Sequence, residues 1–81
     1  MTIQMTIRVR NELGRPAMLT LEPWGEVRAL GVDEEVDIQA KGPGPEEQHD
    51  GGFVQVDMTA DGINVWGWSG SVLEIMSGVP K

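Results

Sequence analysis

Cysteine and tyrosine are absent from this chain, and histidine and phenylalanine occur once each. Without cysteine there is no disulfide and no thiolate metal site. With His49 alone, a zinc site built on several imidazoles is excluded too. Disulfides and metals are the usual supports of small domains. At 81 residues the chain makes one domain, which buries only about 60% of the surface its unfolded form exposes. Stability then rests on packing or on association with further copies, and a homo-oligomer is expected. Basic residues are also scarce: six, against thirteen acidic ones, for a net charge of −7. Nucleic-acid backbones and anionic membranes both require clustered Lys and Arg, so neither is an expected partner. No apolar run approaches the ~20 residues of a membrane-spanning helix. The opening MTIQMTIRVRN lacks the basic head and apolar core of a secretion signal, so a cytoplasmic location is expected.

Helical periodicity is missing as well. Eleven Gly and five Pro fall at short intervals, and no segment sustains a 3.6-residue apolar repeat. Alternation at period two takes its place. Over Thr2–Arg10, the residues Ile3, Met5, Ile7 and Val9 point one way, and Thr2, Gln4, Thr6, Arg8 and Arg10 the other. That is a strand with one wet face. NELGRP (11–16) is a turn. Further strands are expected over 17–22, 26–30 and 35–40, separated by PWG (23–25) and GVDE (31–34). KGPGPEEQHDGG (41–52), with two Pro, four Gly and three acidic residues, reads as a flexible polar loop. Strands over 53–60, 63–68 and 72–77 follow, joined by DG (61–62) and SGS (69–71) into a three-stranded antiparallel meander. The expected fold is all-β: a small antiparallel β-sandwich or partly open barrel of six to seven short strands, one domain over 1–81.

Three tryptophans carry most of the aromatic surface, two of them in NVWGWSGS (64–71). A two-residue DG loop pairs Met58 with Val65 and Val56 with Gly67 on an apolar face. The opposite face then pairs Asp57 with Trp66 and Gln55 with Trp68. A three-residue SGS loop pairs Trp66 with Glu74 and Trp68 with Val72. It keeps Leu73 and Ile75 in the core, which a two-residue loop would not, and a one-residue slip flips every side chain. The Trp66/Trp68 face has two readings. It is covered by the 41–52 loop, the Trp24 corner or a second sheet, and is structural. Or it is an open platform with a polar rim for a protein, a proline-rich peptide or a sugar. The candidate binding surface is Trp66, Trp68, Trp24, Gln55 and Asp57.

Catalysis is not expected. His49 is the sole imidazole, and it sits between Glu47 and Asp50 in the polar loop, where rigid placement is poor. EEQHD (46–50) matches no structured metal motif, and no metal or cofactor is predicted. Asp33, Glu34, Glu35 and Asp37 form an acidic cluster in which Glu35 and Asp37 face outward together. It reads as a solvated edge that blocks aggregation, or as contact points for a basic partner.

LEPWGE (21–26) together with VWGWSGS (65–71) resembles a group of short bacterial all-β proteins without an assigned activity. In them an acidic-Pro-Trp-Gly corner precedes a hairpin ending in Gly-Trp-x-Gly-Ser. The resemblance covers roughly residues 18–79. It implies a stand-alone small β domain and carries no catalytic residue or cofactor. The expected role is a non-enzymatic binding or protein-interaction domain using an aromatic strand face. The alternatives are a carbohydrate-binding platform and an acidic inhibitor of a basic protein.

Overall fold

The computed structural model describes residues 2–76. Every regular element in them is a strand: β1 (Thr2–Arg10), β2 (Ala17–Glu22), β3 (Glu26–Leu30), β4 (Glu35–Pro43), β5 (Gln55–Met58), β6 (Gly62–Trp66) and β7 (Val72–Ile75). They form two sheets, a three-stranded one in the order β1-β4-β7 and a four-stranded one in the order β3-β2-β6-β5. The sheets pack face to face as an open sandwich, which decides between the sandwich and the barrel.

Alternation in the sequence explains which side chains meet. Val9, Val36, Ile38, Ala40 and Leu73 point inward from the three-stranded sheet. Leu19, Leu21, Leu30, Ile63 and Val65 answer from the other. Leu19, Leu21, Ile38, Ile63 and Val65 lose all exposure, and each such side chain contributes roughly 1.5–3 kcal/mol. Asn11 is the one fully buried polar residue among the largest buried side chains. Its Nδ2 donates to the carbonyls of Arg15 (2.8 Å), Gly31 (3.0 Å) and Leu30 (3.2 Å), and its Oδ1 accepts from Leu13 N. One amide thereby ties three chain segments together.

The wet face of the three-stranded sheet orders its charges. Arg8 lies opposite Asp37, and Arg10 opposite Glu35. Arg8 binds Asp37 through Nε (2.7 Å) and Nη2 (3.2 Å). That hydrogen bond, then the Asp37 and Glu35 charges, raise the Arg8 pKa further. Glu34 accepts from Gly31 N at 2.7 Å and lies 3.8 Å from Arg28. Cross-strand arginines thus relieve the repulsion expected between Glu35 and Asp37.

Local elements match the expectations closely at β1, β2 and β3. The strand β4 runs on to Pro43, because Lys41, Gly42 and Pro43 keep pairing with Gln4, Ile3 and Thr2. The rest of the polar loop is a series of hydrogen-bonded turns, with Glu47 N and Gln48 N both donating to Gly44 O. The last expected strand position, 77, lies outside the described residues.

Longer-range pairing departs from expectation in two ways. First, β2 and β6 run parallel, with Leu19 beside Ile63 and Glu22 beside Trp66, so the fold is not wholly antiparallel. Second, the meander does not form. β7 leaves β6 and pairs antiparallel with β4 in the other sheet, Leu73 opposite Ala40. The expected Trp66–Glu74 and Trp68–Val72 pairs are absent. Glycines permit the crossover: a Cβ on Gly42 would meet Ser71 Cα at 2.7 Å, and one on Gly70 would meet Pro43 Cγ at 3.0 Å.

Candidate functional site

The β5–β6 hairpin turns one residue earlier than DG suggests. Thr59 and Gly62 exchange backbone hydrogen bonds (2.7 and 3.3 Å), which leaves Ala60 and Asp61 at the tip. The Thr59 hydroxyl accepts from Asp61 N (3.1 Å) and Gly62 N (3.0 Å). Gly62 belongs to β6 for a steric reason: a Cβ there would collide with the Met18 carbonyl oxygen of β2. Met58 therefore pairs with Ile63, Val56 with Val65, Asp57 with Asn64, and Gln55 with Trp66. Each partner moves by two, so parity is kept, but Val56 and Met58, expected in the core, are exposed because β5 is an edge strand. Trp66 does share the outer face with Gln55 and Asp57, whose side chains bond to each other at 3.0 Å.

Trp68 does not share that face. Strand β6 ends at Trp66, and residues 67–71 form a compact turn. Trp68 N donates to Ser71 Oγ (2.9 Å), which donates back to Trp68 O (2.6 Å), and Ser71 N donates to the same carbonyl. Gly67 makes room for this ring of bonds, since a Cβ on it would collide with Ser71 Oγ. Gly67 thus faces the Ser71 side chain instead of pairing with Val56. The turn swings Trp68 into the core, where it is only 4% exposed. Its Nε1 donates to Pro43 O at 2.8 Å and ties the turn to the end of β4.

Trp24 approaches from the β2–β3 corner. The corner has a cis Glu22–Pro23 bond, a left-handed Gly25 (φ 81°), and a 2.8 Å bond from Gly25 N to Leu21 O. It leaves Trp24 51% and Trp66 41% exposed. The two rings line one cleft of about 350 Å³ with Pro23, Trp68 and the Ser69–Gly70 bend. Among the described residues neither Trp24 nor Trp66 has a protein acceptor for its indole N–H.

Thus all five predicted residues lie at this end of the four-stranded sheet, in three roles. Trp24 and Trp66 wall the cleft, Trp68 is its buried back, and Gln55 and Asp57 flank Trp66 on the sheet face. The residue missed was Glu22. It ends β2 directly beside Trp66, projects to the same face, and has no ion-pair or hydrogen-bond partner for its carboxylate among the described residues. Only the parallel β2–β6 register brings the two together, and no local signal announces it. His49 is exposed in the 44–52 turns. No group of three or more His, Cys, Asp or Glu converges among the described residues. Comparison with protein-family models, curated proteins and solved structures found no match.

Proposed function

We propose that this is a non-enzymatic binding domain that recognises a protein partner through the Trp24/Trp66 cleft. The observation behind this reading is the pair of exposed indoles facing one cleft with unpartnered N–H groups. Large aromatic side chains left in water cost free energy that burial against a partner returns. Tryptophan is also the residue type most enriched where binding energy concentrates. The cleft stands on rigid supports, a strand end, a hydrogen-bonded turn and a buried Trp68, so little order has to be created on binding. Its lining offers no titratable side chain, and the Ser71 hydroxyl is committed to the backbone of Trp68. A nucleophile without a base has little chemistry to perform.

The test is selection of a phage-displayed random peptide library on the intact domain. Enriched peptides should lose binding to the Trp24→Ala/Trp66→Ala variant, while that variant keeps a cooperative thermal transition. Peptides that bind both proteins equally would remove the cleft from the account. Failure to enrich any peptide, together with binding of soluble oligosaccharides to the wild type alone, would move the site to carbohydrate.

A further inference from the structure

A carboxylate stands directly beside the aromatic cleft without lining it. Glu22 and Trp66 are register partners on adjacent strands, which lie about 4.8 Å apart. Trp24 is two residues beyond Glu22 and faces the same cleft. Near the other rim, Ser69 N donates to Asp50 Oδ2 at 3.4 Å. No Lys or Arg lines the cleft. Four arginines are engaged elsewhere: Arg8 with Asp37, Arg10 with Glu12, Arg28 with Glu34, and Arg15 with the Ala60 carbonyl.

We propose, building on the protein-binding reading above, that the cleft accepts an arginine side chain of the partner, stacked on Trp66 and Trp24 and paired with Glu22. A guanidinium is planar and weakly hydrated. It can lie on an aromatic face while its edge donates to a carboxylate, which an ammonium does less well. Glu22 is half-buried beside an indole, so one cation can meet both the ring and the carboxylate. The acidic balance of the whole chain adds attraction at a distance.

The test uses three blocked peptides that differ at one position, acetyl-Gly-X-Gly-amide with X = Arg, Lys or citrulline. They are titrated into the ¹⁵N-labelled protein, and the indole N–H signals are followed. The Arg peptide should shift the Trp24 and Trp66 signals and leave that of Trp68 in place. The citrulline peptide, isosteric but neutral, should bind roughly fivefold more weakly or worse, and so should the Arg peptide on Glu22→Gln. Binding of Arg should weaken as salt is raised from about 0.05 to 0.5 M. Equal binding of citrulline, or an unchanged affinity on Glu22→Gln, overturns the guanidinium assignment. Equal binding of Lys overturns the planar stacking. No shift with any of the three overturns the inference outright. Cleft-dependent peptides without Arg in the library selection would then leave the protein-binding reading standing, whereas an empty selection would end both.

Discussion

Trp66 and Trp68 are two positions apart, yet one is ten times as exposed as the other (41% against 4%). The difference follows from where β6 stops. Trp68→Ala should cost about 3–5 kcal/mol, the usual range for emptying a buried tryptophan site. Trp24→Ala and Trp66→Ala should each cost about 1 kcal/mol or less, as expected of half-exposed positions. Urea unfolding of the three variants checks the contrast, and similar losses at all three would mean that the rings share one environment. Ser71→Ala removes the acceptor of Trp68 N inside a buried turn and should cost about 1–3 kcal/mol. Asn11 tests polar burial in another way. In Asn11→Asp a carboxylate would face the carbonyls of Arg15, Leu30 and Gly31. Its folded pKa must then rise above the unfolded value of about 3.9. The folded variant holds its proton longer, so its deficit against wild type should grow as pH rises from about 4, and shrink below it. A deficit independent of pH would contradict the geometry.

At the scale of elements, two glycines separate a conformational requirement from a steric one. Gly14 has φ 80° and open space around it, whereas Gly62 would place a Cβ against the Met18 carbonyl between β2 and β6. Gly14→Ala should cost about 1–2 kcal/mol, the left-handed penalty alone. Gly62→Ala should cost about 2 kcal/mol or more, because a paired backbone cannot yield as a side-chain tip can. Equal losses would argue against the parallel β2–β6 contact. That contact also marks the limit of what was legible. β1, β2 and β3 could be read residue by residue, since alternation and turn residues are local signals. Of the expected outward set, Gln55, Asp57 and Trp66 share a face because face depends only on parity, which survives a shift of two in register, whereas Trp68 lies beyond the strand and is buried. The β2–β6 pair, the passage of β7 to the other sheet and the proximity of Glu22 to Trp66 were not legible. They depend on contacts between segments more than thirty residues apart. The glycines at 42, 62 and 70 are the available clue, since each is needed where two chain segments touch.

At the scale of the whole molecule, the two outer faces of the sandwich differ in charge. The three-stranded sheet pairs Asp37 with the cross-strand Arg8. The four-stranded sheet presents Glu22 and Asp57 beside Trp66 with no cation among its outward residues. The central claim is that Trp68 is buried in support of the fold while Trp24 and Trp66 stand open at the cleft. The most direct test is attenuation of the three ¹⁵N-indole signals by a soluble gadolinium chelate, with assignments from single Trp→Phe variants. The Trp24 and Trp66 signals should fade together while that of Trp68 persists. Equal protection of all three, or loss of the Trp68 signal alongside the others, would contradict the account.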